Sequence, residues 1–143
     1  FTPDLSGAGR WRGGSGMVWE VRNLGGDARI ATGSSDGDLT QPAGAAGGDP
    51  GPLSKMYIRR GDEIETVRTH RMIEVKTGEV LGKVSGGGGG VGQPFEREPE
   101  AVQQAVVAGY VTIEAAERLY GVAIDEATTM IDEDRTKRLR GID

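Results

Sequence analysis

A chain of 143 residues is about one domain, and with 36% hydrophobic and 5% aromatic residues it can bury only a modest core of its own. It has no cysteine, which excludes a disulfide scaffold and a thiolate zinc site and suits a cytoplasmic setting. The net charge of −5 arises after Gly92, where 6 basic residues face 11 acidic ones, a balance that argues against nucleic acid as a partner; no apolar run approaches the roughly 18 residues needed to cross a membrane.

The first elements are β-like. Gly7 to Gly16 is a glycine-punctuated loop carrying Arg10, Trp11 and Arg12, and it leads into Met17–Arg22, which alternates apolar and charged residues from Val18 onward apart from Trp19. Asn23 to Asp27 is turn chemistry and Ala28–Thr32 alternates again, so a hairpin is the simplest expectation. Residues 33–52 read as loop, with Pro42, Pro50 and Pro52 breaking any ladder. Further strands are expected at Ser54–Arg59, at Glu63–Thr69 after the Arg60-Gly61-Asp62 turn, and at either Met72–Lys76 or Val80–Val84 around Thr77-Gly78.

The glycine content then peaks and stops. Of 25 glycines, 22 fall in residues 1–92, and six of the seven positions from Gly86 to Gly92 are glycine. Ordering such a block costs roughly 0.5–1 kcal/mol per glycine relative to alanine. It is therefore either a flexible linker or a backbone that must approach something a Cβ would exclude, and the second reading is preferred, at a crowded protein interface. On that reading valine at Gly88 is expected to be excluded. After the block the period becomes helical. Pro99 suits a first helical position, Ala101, Val102, Ala105 and Val106 form a stripe, and Gly109 ends the helix. Thr112 caps Ile113–Tyr120 with Gly121 closing it, and Asp132–Arg140 runs from acids to bases, the order that suits the helix dipole. The expected class is α+β: a glycine-rich β part over about residues 10–90, then two or three short helices. The division falls at residues 1–92 and 93–143, both in one structural unit.

Chemistry-bearing motifs are few. Gly87, Gly89 and Gly92 satisfy G-x-G-x-x-G, but Pro94 and the acids Glu96, Glu98 and Glu100 stand where a phosphate-binding helix should begin, and no Lys-Ser/Thr follows as a Walker A loop requires. His70, the single histidine, lies between Arg68 and Arg71 and reads as a surface or interface group in preference to a metal ligand or catalyst. Asp36, Asp38 and Asp49 lack calcium-loop spacing and are explained by Asx-turns. Arg10 and Arg12 either grip an anion or stack on Trp11 and pair with acids across an interface. The interface or substrate-proximal candidates are therefore Arg10, Trp11, Arg12, His70, Gly87, Gly88, Gly89 and Gly90; no catalytic residue and no metal ligand is assigned.

Taken together, Gly9-Arg10-Trp11-Arg12-Gly13-Gly14-Ser15-Gly16, Pro42-Ala43-Gly44 with Gly47-Gly48 and Pro50-Gly51, Gly86–Gly92 with Pro94, Glu96-Arg97 and Pro99-Glu100-Ala101-Val102, and Ala115-Ala116 with Tyr120-Gly121-Val122 resemble the C-terminal end of the hydantoinase B/oxoprolinase family. That family includes N-methylhydantoinase, 5-oxoprolinase, caprolactamase and the acetone and acetophenone carboxylases. The resemblance runs from Gly9 to Asp125 and implies the C-terminal portion, or a small subunit, of a heteromeric ATP-dependent enzyme acting on a small cyclic amide or ketone. It further implies larger A-type and B-type partner subunits that hold ATP and a divalent metal, none in this chain, and a mainly structural and interface-forming role here. The start at Phe1 in place of Met suggests a processed or truncated piece, or the ordered part of a longer chain. A self-contained binding module with no enzyme attached is the alternative.

Overall fold

The computed structural model describes residues 2–33 and 36–142. Six strands come first: β1 (Met17–Arg22), β2 (Ala28–Thr32), β3 (Lys55–Arg60), β4 (Glu63–Val67), β5 (Arg71–Val75) and β6 (Val80–Ser85). Three helices follow, α1 (Pro99–Val107), α2 (Ile113–Tyr120) and α3 (Glu133–Arg140), with short 3₁₀ turns at Asp36–Asp38 and Pro94–Glu96. The α+β class is as expected. The two alternatives around Thr77-Gly78 are both strands, joined by a turn in which Glu79 N–H donates to Lys76 O at 3.1 Å and Gly78 takes φ 86°.

The expected β1–β2 hairpin is not formed. One antiparallel sheet has the order β1-β6-β3-β4, and β2 pairs with β5 in a separate two-stranded sheet. The cause lies in Asn23. Its Nδ2 donates to Val75 O at 2.9 Å and to Gly26 O at 3.0 Å, while its own N–H donates to Glu79 O at 2.9 Å. Asp27 Oδ1 accepts from Thr77 N–H at 3.0 Å. The turn residues are thus spent on the β5–β6 corner, and the chain arches from one sheet to the other where a hairpin would fold back on itself.

The apolar residues of alternate positions meet between these sheets. Met56, Ile58, Val75 and Leu81 are buried there, with Ile30, Val67 and Ile73 against them. A second cluster joins the helices: Val102, Ala105, Val111, Ala115, Ala116, Tyr120, Val122 and Ile124, with Ala8 of the first loop built into it. Burying a Val or Ile side chain fully is worth about 1.5–3 kcal/mol, so these few residues carry most of the side-chain contribution. The helix ends are as the sequence directs. Pro99 occupies the first turn of α1, Thr112 Oγ1 accepts from Ala115 N–H at 3.1 Å, Asp132 Oδ1 accepts from Arg135 N–H at 2.9 Å, and Gly121 and Gly141 close α2 and α3 in the left-handed region.

Candidate functional site

Between the β part and the helices lies a layer made almost entirely of backbone. Three loop segments, residues 5–16, 42–51 and 86–92, run beside one another and exchange main-chain hydrogen bonds. Trp11 and Val91 pair in both directions at 2.9 Å, Gly7 N–H donates to Gly88 O at 2.9 Å, Asp49 N–H to Ala8 O at 2.7 Å, and Ala45 N–H to Gly90 O at 2.9 Å. The glycine block is the middle member of the three. Segments held this closely leave no room for side chains between them: a Cβ on Gly90 would run into the carbonyl of Ala8, and one on Gly87 into the carbonyls of Leu5 and Gly14.

The close neighbour that the block requires is thus this chain's own backbone, where the sequence reading placed a protein interface. One candidate differs from the rest. Gly88 is exposed, and a Cβ there would meet only Gly14 N at 3.5 Å and Gly13 Cα at 3.9 Å, ordinary contacts. The expectation that valine is excluded at Gly88 on steric grounds is corrected accordingly; Gly87, Gly89 and Gly90 are the constrained positions. Positive φ is not the reason either, since within 86–92 it occurs at Gly92 alone, at 75°.

Most amides of the block are also committed. Gly87, Gly88, Gly90, Val91 and Gly92 donate to the carbonyls of Leu5, Gly14, Asp49, Trp11 and Ala45. A phosphate cradle needs such donors free and converging. Among the described residues, no group of three or more His, Cys, Asp or Glu side chains is placed to hold a metal ion. Asp38 is engaged otherwise, in a long-range bond where an Asx-turn was expected: its carboxylate accepts from Thr69 Oγ1 at 2.8 Å and Thr69 N–H at 3.2 Å, which holds its pKa below the ordinary value.

The Arg-Trp-Arg loop divides its labour. Arg12 is a strut: Nη1 donates to Ser15 Oγ at 2.8 Å, Gly13 O at 2.9 Å and Ser6 Oγ at 3.1 Å, and its guanidinium lies 4.9 Å from the centre of the Tyr110 ring. Its aromatic partner is therefore Tyr110, where the sequence reading set Trp11. Trp11 is fixed through its backbone and leaves its side chain 66% exposed, with Val91 beside it 44% exposed. Arg10 is exposed, and its N–H donates to Gly92 O at 3.2 Å. His70 stands elsewhere, exposed on the β4–β5 corner with φ 59°, its N–H donating to Thr32 O at 2.8 Å.

Sequence reasoning missed two arrangements. Arg97 Nη1 donates to Arg10 O at 3.0 Å, and Arg140 Nη2 donates to Arg97 O at 2.7 Å and to Tyr120 O at 3.0 Å, so two guanidiniums bind the glycine layer to α2 and α3. Burial pushes the Arg140 pKa down, opposed by Glu98 and Glu100. On the outer face of the larger sheet, Glu20, Gly82 and Tyr57 lie directly opposite one another on three strands. The Tyr57 ring crosses the space a Cβ on Gly82 would fill, and its hydroxyl donates to Glu20 Oε1 at 2.6 Å, where Arg59 also donates. The bond to Glu20 raises the Tyr57 pKa. A glycine inside a strand was the available signal.

The family model for hydantoinase B/oxoprolinase matches residues 1–94. This chain belongs to the hydantoinase B/oxoprolinase family. Relatives within that family include the putative B subunit of a D-/L-hydantoinase from Pseudomonas sp. (strain NS671), 34% identical over 96% of this chain and 23% of its own length, and the beta subunit of caprolactamase from Pseudomonas jessenii, 35% identical over 85% of this chain and 22% of its own. The crystal structure of ATP-dependent caprolactamase from Pseudomonas jessenii superposes with a TM-score of 0.79 at 28% identity, covering 98% of this chain and 25% of that one. The nucleotide-free acetone carboxylase structure shares the fold, with a TM-score of 0.67 at 19% identity. This hydantoinase B/oxoprolinase chain thus spans about a quarter of the length of the relatives it matches.

Proposed function

We propose that this chain is the C-terminal portion, or a separately encoded small subunit, of a heteromeric ATP-dependent enzyme that opens a small cyclic amide or carboxylates a ketone. Larger A-type and B-type polypeptides hold ATP, a divalent metal and most of the chemistry, and this chain shapes and closes the assembly. The observation that carries the reading is the match itself, nearly end to end in this chain yet confined to 23% of the hydantoinase relative. The surface supports it. Both tryptophans and Met17, Val21, Ile64, Met72 and Phe95 are exposed, and exposed large apolar side chains that cluster mark interaction surfaces. The committed amides of the glycine block fit a structural role for that block, and Arg10 and Trp11, presented at the rim of the layer, are proposed as contacts to the partner subunits.

Reconstitution tests this. The chain is mixed with the larger A-type and B-type subunits, and ATP hydrolysis is followed with a hydantoin, caprolactam or acetone as substrate. Joint elution and ATP-dependent turnover that is lost when the chain is omitted are expected. A chain that remains apart from both subunits, monomeric and melting cooperatively alone, would overturn the proposal in favour of a self-contained binding module.

A further inference from the structure

Strand β1 is the open edge of the four-stranded sheet, and it is an unguarded one. Met17, Val18, Trp19 and Val21 are 57, 43, 36 and 59% exposed, so apolar side chains stand in water on both faces of the strand. Edge strands that face solvent normally carry free charge, a proline or a bulge that blocks further pairing. Here Glu20 is paired with Arg59 and Tyr57, and Arg22, with Nη1 donating to Gly78 O at 3.1 Å, is the one unpaired charge among the described residues of β1, at its last position. The opposite edge, β4, carries Glu63 and Glu65.

The direction of the free backbone groups follows from the ladder. Asn23 N–H donates to Glu79 O at 2.9 Å, and Arg22 stands opposite Val80. Antiparallel partners alternate between bonded and non-bonded pairs. Val21 and Trp19 therefore bond to β6, while Val18, Glu20 and Arg22 turn their N–H and C=O groups outward. Among the described residues, Met17–Arg22 make no other backbone hydrogen bond. Beside this edge, Trp19 and Val21 rim an apolar groove completed by Leu24, Ile30, Val75 and Leu81.

We infer that β1 is a strand-addition site, paired in the assembled enzyme with an extended apolar segment of the larger B-type polypeptide; this rests on the function proposed above. The relatives supply the occupant. Each carries the equivalent of this chain as about a quarter of a longer polypeptide, so several hundred residues' worth of neighbouring chain exists to complete the sheet. Apart from Arg22 at the end of the strand, whose guanidinium is exposed and bonded only to a carbonyl, the patch is apolar. The match is to alternating apolar side chains that enter the groove on one face while backbone pairs with Val18, Glu20 and Arg22.

Amide exchange at single-residue resolution tests it, on the chain alone and on the chain assembled with the larger B-type polypeptide. The Val18 and Glu20 amides are expected to slow by about a hundredfold or more on assembly, whereas Trp19 and Val21 are protected in both states. Val18→Pro, which removes an outward donor and leaves the β6 ladder intact, is expected to weaken assembly by about tenfold or more, and Val18→Thr to leave it unchanged. Assembly with the outward amides still exchanging as in the free chain overturns the strand-addition site and leaves the proposed function standing. Failure to assemble at all overturns both. Protection that grows with the concentration of the chain alone marks a second copy as the occupant, and also overturns the inference.

Discussion

Replacing Gly90 by alanine adds one methyl group at the point where three backbone segments meet, and the structure sets the size of the effect. The new Cβ would overlap Ala8 O and Ala8 C, both main-chain atoms that cannot swing aside as the tip of a side chain can. To relieve the overlap, the 5–16 segment must separate from the glycine block. Three bonds cross that contact on either side of Gly90: Gly7 N–H to Gly88 O at 2.9 Å, Trp11 N–H to Val91 O at 2.9 Å and Val91 N–H to Trp11 O at 2.9 Å. Each buried backbone bond lost or badly stretched costs about 1–3 kcal/mol, and the overpacking itself about 1–3 kcal/mol. Allowing for partial relaxation, a loss of about 3–5 kcal/mol is expected, a large share of a total of about 5–15 kcal/mol. At about 3 °C per kcal/mol for a chain of this size, the melting temperature should fall by about 10 °C or more. Gly88→Ala is the internal control. It changes the same residue type two positions away but meets only ordinary contacts, so its expected effect lies within about 0.5 kcal/mol of zero. Parallel urea titrations of wild type and the two variants read both numbers. Equal loss at both positions, or no loss at Gly90, would refute the backbone-contact account of the block.

Two further predictions follow from single interactions. Thr112 caps α2 through Ala115 N–H and donates its hydroxyl to Asp4 Oδ2 at 2.8 Å, so Thr112→Ala should lower stability by about 1–2 kcal/mol in urea titration, whereas Thr112→Ser should recover most of it. The carboxylates of Asp38, Asp125 and Glu79 have pKa values below their ordinary ones, through Thr69, Thr128 and the Lys76 N–H respectively, so their contribution is complete above about pH 5 and is lost as the pH falls through the lowered folded values. The urea midpoint should therefore hold from neutral pH down to about pH 5 and drop below pH 4, with Asp38→Asn and Asp125→Asn flattening that drop; an unchanged slope in both variants would refute the assignment.

The elements that local chemistry specifies were legible. Thr112, Asp132, Pro99, Gly109 and Gly121 act at helix ends through bonds within a few residues, and the sequence places them without reference to the rest of the fold. Strand positions were legible for the same reason, since alternation at Met56 and Ile58 is a local pattern. Strand partners were not. Asn23 looks like a turn residue whether the chain folds back or arches over, and only its bond to Val75, 52 residues away, decides between the two. The site shows the same division. A glycine block announces close approach but not what approaches, and within it only the facing backbone separates the tolerant Gly88 from the intolerant Gly87 and Gly90. Arg12 carried no sign that its aromatic partner would be Tyr110, and the Arg97–Arg140 relay was invisible because its acceptors are carbonyls.

A glycine layer and an exposed apolar strand are two consequences of one economy of construction. Side chains normally hold a small domain together, and with 36% hydrophobic residues this chain has few to spend. Where residues 5–16, 42–51 and 86–92 meet, backbone bonds take over that task, since the absence of Cβ atoms lets carbonyl and amide come within bonding distance across three segments. Layers of this kind need no apolar content. The apolar residues are then free to be placed outward, at Trp11, Val91, Met17, Val18, Trp19 and Val21, the residues that the proposed assembly would cover. On the proposed function, stability of the isolated chain and affinity for the larger subunits thus draw on different parts of the sequence: glycine substitutions should act chiefly on the former and β1 substitutions chiefly on the latter. That separation is what allows Gly90→Ala and Val18→Pro to distinguish folding from assembly in the same protein.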